Sequence, residues 1–155
     1  MSRLLLLLLA VSCLAPQMVL AQAARVDDSA SQVLGHTLKL RWDDPVPRND
    51  SVRTMSGTIT VHVRLDVRPW AGQQVRIYKK LGTSPGARVL VRWTSQGRLM
   101  PGQLRQGERS LVYAGPITSG ELQDVLQLSV IADGSRLQEG REILDFDFEL
   151  ETLAP

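Results

Sequence analysis

The stretch Thr58-Ile59-Thr60-Val61-His62-Val63-Arg64-Leu65-Asp66-Val67 alternates without a break. Ile59, Val61, Val63, Leu65 and Val67 point one way. Thr58, Thr60, His62, Arg64 and Asp66 point the other. Successive side chains on an extended strand face opposite sides, so this run writes one dry face and one wet face. Its β-branched residues suit a pleated, half-buried surface.

The same period recurs on both sides of this stretch. In Leu144-Asp145-Phe146-Asp147-Phe148-Glu149-Leu150-Glu151, the apolar residues are predicted to face a core and the four carboxylates solvent. Leu38, Leu40 and Trp42 alternate with Lys39 and Arg41, and Val75 and Ile77 with Arg76 and Tyr78. Val89, Val91 and Trp93 alternate with Leu90 and Arg92, while Leu111 and Tyr113 flank Val112. Leu126, Leu128 and Val130 lie opposite Gln127 and Ser129. Turn residues separate the runs: Asp43-Asp44-Pro45-Val46-Pro47, Pro69-Trp70-Ala71-Gly72, Pro101-Gly102 and Gly115-Pro116. Asp133-Gly134 reads as a hairpin turn, and residues 118 to 125 read as a helical turn before the strand that follows.

About seven strands joined by turns predict an all-β fold, an antiparallel β-sandwich that is immunoglobulin-like in outline. A small barrel fits less well, because the strands are uneven and the connection over residues 94 to 108 is long. The expected organisation is a signal peptide over 1–23, a flexible leader over 24–33 and one sandwich domain over 34–155.

The N-terminus carries the signal. Arg3 precedes the apolar run Leu4 to Val11, and Val19-Leu20-Ala21 and Ala21-Gln22-Ala23 are two candidate cleavage sites of the small-x-small type. Two other readings exist, a membrane anchor and a lipoprotein with Cys13 lipidated. A spanning helix needs roughly 20 apolar residues, and Pro16-Gln17 interrupts this one. Cys13 is the single cysteine of the 155-residue chain. The mature domain is therefore expected to fold without disulfides, although it is exported. With 18 Lys and Arg against 16 Asp and Glu, nothing calls for nucleic acid as a partner. No stable membrane insertion is expected once the signal is removed.

No catalytic signature is visible. His36 and His62 are the two histidines, and with no cysteine beside them a structural zinc site is not expected. No nucleophile motif surrounds a serine. Asp145, Asp147, Glu149 and Glu151 are conspicuous. Same-face residues on a strand are ~7 Å apart, too far for more than two to share one cation. Their expected role is a solvated face paired with Lys39 and Arg41 or with Arg76 and Lys80. The chain is thus expected to be no enzyme and to need no cofactor or metal.

Candidate contact residues follow from position. Trp42 and Trp93 continue apolar faces and are read as core. Trp70 sits in a turn, where it either stacks on a sugar or partner or caps the sandwich. The basic, glycine-rich segment Trp93 to Arg109 bears Arg98, Arg105 and Arg109. It reads as a ligand or partner loop or as an ordinary long connection, and long loops on rigid scaffolds often carry function.

The leucine-rich signal, the alternating segment Leu34 to Trp42 and the terminal strand Leu144 to Glu151 together resemble bacterial fimbrial subunits of the chaperone–usher type. More broadly, the chain is similar to periplasmic immunoglobulin-like modules. The resemblance implies that Leu34, Leu38, Leu40 and Trp42 are donor-strand residues that pair with another subunit. The expected function is a non-enzymatic exported structural or adhesion protein, a fimbrial or cell-surface assembly subunit. The alternative is a soluble periplasmic binding or accessory module for a glycan or protein partner. The expected location is the periplasm or cell surface of a Gram-negative bacterium.

Overall fold

The computed structural model describes residues 23–35, 38–44, 53–83, 88–135 and 145–153. The leucine run of the expected signal peptide, Cys13, His36 and Leu144 lie outside them. Two antiparallel sheets pack face to face as a β-sandwich. The four-stranded sheet contains β1 (Ala24–Arg25), β10 (Phe146–Thr152), β5 (Gln74–Leu81) and β8 (Arg109–Pro116), in that order. The six-stranded sheet runs β2 (Gln32–Leu34), β4 (Thr54–Asp66), β9 (Glu121–Asp133), β6 (Val89–Ser95) and β7 (Gly102–Arg105), with β3 (Arg41–Trp42) also on β4.

The seven alternating runs correspond to β3, β4, β5, β6, β8, β9 and β10. The three further strands β1, β2 and β7 have two, three and four residues. Segments that short do not display a period.

The core lies between the sheets. From β4 it takes Val63 and Leu65, with Val67 just beyond the strand; from β9, Leu122, Leu126, Leu128 and Val130; from β5, Val75, Ile77 and Leu81; from β10, Phe148 and Leu150. Ile59 and Val61 pack against it. Fully burying each such side chain contributes about 1.5–3 kcal/mol. Near the start of β4 the segment 38–40 takes over as cover, with Leu38 and Leu40 packed on the core. Gly57 permits this close approach, since a Cβ there would sit 2.5 Å from the carbonyl oxygen of Lys39.

Several expectations are corrected. Residues 24–33 are not a loose leader. Ala24 and Arg25 pair with Leu150 and Glu149, Val26 is fully buried, and Gln32 to Leu34 pair with β4. Residues 118–125 form no helical turn, because β9 begins at Glu121. Among the described residues, Asp133-Gly134 closes no hairpin between sequential strands. β9 pairs with β4 and β6, whereas β10 belongs to the other sheet, and Gly134 has no positive φ. The chain changes sheets at most of its connections, so a local turn signal does not report strand pairing. The connection 94–108 is not one long loop either, since β7 folds back on β6, Val91 opposite Leu104.

Two core positions break the simple alternation. Opposite Ile77 and Tyr78 the pairing of β8 skips from Tyr113 to Leu111, so Val112 is the extra residue of a bulge. Val112 and Tyr113 are consequently both buried. On β5, Lys79 falls on the core parity of Val75 and Ile77 and is only 2% exposed.

Candidate functional site

The outer face of the six-stranded sheet is built by the even-numbered residues of β4 and their partners in register. Thr58 lies opposite Ser129, which lies opposite Arg92, which lies opposite Gln103. Beside this row runs Thr60, Gln127 and Thr94, with Leu34 of β2 at its end. The two rows form a polar band across the sheet. Half-buried Leu90 and Ile131 border it on one side, and Val125 on the other.

The band carries little charge and little internal bonding. Arg92 is its one ionised side chain, and its Nε donates to Gln103 Oε1 at 3.3 Å. Among the described residues, the side chains of Thr58, Thr60, Thr94, Gln127 and Ser129 make no hydrogen bond. Two shallow depressions mark the face. One, of about 500 Å³, is lined by Thr58, Arg92, Thr94, Gln103, Gln127 and Ser129 over Trp93 and Gly102. The other, of about 750 Å³, runs from Thr58 and Ser129 past Ser56, Lys39 and Arg41 to Trp42. They share Thr58 and Ser129, so the surface is one trough across the sheet.

The sequence-derived candidates are distributed over the molecule. Leu34 lies at the margin of the band and is 47% exposed. Trp42 is 41% exposed and not in the core as expected. β3 pairs with β4 over only two residues, so the indole stays outside the core, with the Arg53 guanidinium 4.5 Å from its ring centre and Gly134 against its edge. Leu34 and Trp42 pair with β4 of their own chain. Trp93 is core as expected, 2% exposed, with its indole N–H donating to the Met100 carbonyl at 2.9 Å. Trp70 is half-buried against the core in a 3-10 turn at one end of the sandwich. Arg98 lies at that same end, in a separate cleft with Arg68. Arg105, on β7, points outward at the sheet edge and its backbone N–H donates to Glu108 Oε2. The structure therefore does not bring Trp70, Arg98 and Arg105 together.

In the sequence, Thr58, Thr60, Arg92, Gln127 and Ser129 read only as the wet sides of strands. Their alignment depends on the pairing register, which the alternation of single strands does not contain. Among the described residues, no group of three or more His, Cys, Asp or Glu is placed to hold a metal, and no helix is long and apolar enough to cross a membrane.

No protein-family model and no curated protein matches the chain. A solved structure of TmCBM61 in complex with β-1,4-galactotriose is similar over 86% of this chain and 88% of that one, at 8% identity and a TM-score of 0.22. A score that low transfers neither fold detail nor ligand.

Proposed function

We propose that this chain is a non-catalytic module that binds a neutral, extended glycan across the outer face of its six-stranded sheet. The observation that carries the proposal is the band of unengaged hydroxyl and amide groups centred on Thr58, Ser129, Thr60 and Gln127. Hydroxyls and side-chain amides donate and accept at once, as sugar hydroxyls do. Neighbouring strands are ~4.8 Å apart, so each row offers one polar group per strand, close to the advance of one pyranose along an extended chain. The apolar side chains at the borders suit the C–H faces of the sugar rings. A protein partner is less well matched, since interface centres favour aromatic anchors.

An exported location, in the periplasm or at the cell surface, belongs to the same proposal and rests on the leucine-rich N-terminus. Assembly by strand donation has less support, because Leu34 and Trp42 are engaged within their own chain.

The test is retention of the purified chain on a panel of insoluble and immobilised neutral polysaccharides. We expect retention on at least one of them, and loss of it when Thr58 and Gln127 are both replaced by alanine while the melting temperature holds. Absence of retention across the panel, or retention unaffected by the double substitution, would overturn the assignment.

A further inference from the structure

At the end of the sandwich opposite Trp42, a cleft of about 840 Å³ opens between the 27–30 turn, the end of β4, the start of β9 and the loop that joins β6 to β7. Its walls hold three guanidinium groups, Arg64, Arg68 and Arg98, and three carboxylates, Asp27, Asp66 and Glu121. Two of the cations are already matched. Arg64 grips Glu121 with both ends of its fork, at 2.9 and 3.2 Å, and Arg68 donates through Nε and Nη2 to Asp66. These donations hold both carboxyls below the usual range, Asp66 down to about 2. Asp27 accepts the Ser29 backbone N–H at 2.9 Å, which lowers its carboxyl too.

Arg98 differs. Among the described residues it meets no carboxylate. Its Nη2 donates to the Tyr113 hydroxyl at 3.3 Å, and its guanidinium lies 5.7 Å from the centre of that ring. Tyr113 is fixed in turn, since its hydroxyl donates to the Pro116 carbonyl at 2.8 Å.

The loop that presents Arg98 is also fixed. Asp124 points inward from β9 and is 4% exposed. Its carboxylate accepts from the Leu99 N–H at 2.7 Å, the Ser95 hydroxyl at 2.9 Å and the Gln96 N–H at 3.3 Å. Gly97 lets the backbone pass, because a Cβ there would lie 3.0 Å from that carboxylate. A buried carboxylate with three donors is a strong and specific anchor. Asp124 is thus a positioning residue, and what it positions on the cleft side is an uncompensated guanidinium.

We propose that this cleft is a second binding site, for a carboxylate-bearing sugar such as a uronic acid, with Arg98 reading the carboxylate. The planar fork of arginine matches a carboxylate in bidentate fashion. Asp27, Ser29, Ser119 and Gln123 line the remaining wall. The Ser119 hydroxyl donates to the Glu121 carbonyl at 2.8 Å and the Gln123 amide to Glu121 Oε2 at 2.6 Å, so what this wall turns to ring hydroxyls is chiefly oxygen acceptors. The matched pairs Arg64–Glu121 and Arg68–Asp66 cancel, so the charges left to the cleft are the carboxylate of Asp27 and the guanidinium of Arg98. The site shares no residue with the sheet face and stands whether or not a neutral glycan binds there.

The test is NMR titration of the purified chain with D-glucuronate and D-galacturonate, with D-glucose and acetate as probes of the hydroxyls and of the carboxylate alone. At least one uronate is expected to shift the Arg98 side-chain Nε–H and the amides of Gly97 and Gly120 saturably, with glucose and acetate much weaker. Arg98→Ala should reduce uronate affinity by about tenfold or more, the worth of one charge-assisted contact. Arg98→Lys, which keeps the charge and loses the fork, should fall between. Both variants should melt with the parent and keep its retention on neutral polysaccharide. No shift with either uronate, an equal response to acetate, or unchanged uronate affinity in Arg98→Ala would each overturn the proposal. Failure of the sheet-face proposal would appear separately, as lost or absent retention on the neutral panel.

Discussion

The two sheets turn different chemistry outward. On the four-stranded sheet, Asp147, Glu149 and Glu151 of β10 face Lys80 of β5 and Arg109 of β8. Lys80 Nζ is 3.0 Å from Glu149, and Arg109 is 2.7 Å from Glu151 and lies 4.4 Å over the Tyr78 ring. Arg25 of β1 comes within 2.6 Å of Asp147 Oδ1 as a charge contact without an aligned hydrogen bond. Asp147, Glu149 and Glu151 of the conspicuous acidic stripe are therefore covered by cations of their own sheet, Lys80 among them as expected. Arg25 and Arg109 take the places expected for Lys39, Arg41 and Arg76. The six-stranded sheet shows Thr58, Thr60, Thr94, Gln127 and Ser129, with no such pairing among them. A face whose polar groups answer one another has little to offer a ligand. A face whose polar groups are left open does, and that difference places the proposed glycan on one sheet and not the other.

The contrast continues inside, where, among the described residues, each sheet sends one Asp or Lys side chain into the core. Asp124 of the six-stranded sheet accepts three hydrogen bonds. Lys79 of the four-stranded sheet meets rings instead, 4.3 Å from the centre of Phe146 and 5.5 Å from those of Phe148 and Trp93. Burial pushes its amine down from 10.5 to about 8.

The largest effect is expected at Asp124. Asp124→Ala strands the buried Leu99 N–H and the Ser95 hydroxyl, while the Gln96 N–H keeps the Val125 carbonyl at 3.1 Å. It should cost about 2–4 kcal/mol in denaturant unfolding, since each unsatisfied buried group costs about 1–3. A cost within measurement error would mean that the loop is held by something else.

Lys79→Met should act in the opposite direction. The unfolded chain binds the lysine proton more tightly than the folded one. Stability should therefore rise with pH between about 8 and 10.5 and carry the full penalty below that window. Removing the charge should stabilise the protein by about 3 kcal/mol at pH 7 and flatten the rise. If Lys79→Met instead lowered stability, the aromatic cage would more than offset the burial of charge.

On the open face, Gln127→Ala alone should weaken glycan binding by about 1–2 kcal/mol, measured by affinity electrophoresis, with unfolding unchanged. On the paired face, Lys80→Gln should change stability by no more than about 0.5 kcal/mol, because the pair is half-exposed and screened. It should leave retention on polysaccharide untouched. If Lys80→Gln reduced retention and Gln127→Ala did not, the roles of the two faces would be reversed.

Seven strands and the inward-facing residues of most were legible in the sequence, because burial of one face imposes a period of two on each strand independently. Ile59 to Val67 and Phe146 to Leu150 carry that imprint whatever they pack against. Trp93 was legible for the same reason. Trp42 was not, because its exposure depends on how little of β3 finds a partner. Lys79 and Asp124 share the parity of their apolar neighbours, but their residue types signal the surface. Only the aromatic cage and the three loop donors make their burial tolerable.

By itself the sequence determined which side of the longer strands is dry, since that is a property of consecutive residues. The tertiary structure alone decided which strands lie side by side and in what register. From that came the alignment of Thr58 with Ser129, the pairing of Glu151 with Arg109, and the delivery of Arg98 to a cleft beside Arg64 and Arg68. Those relations join residues tens of positions apart. Their physical cause is hydrogen bonding and packing between segments, which leaves no period in any one of them.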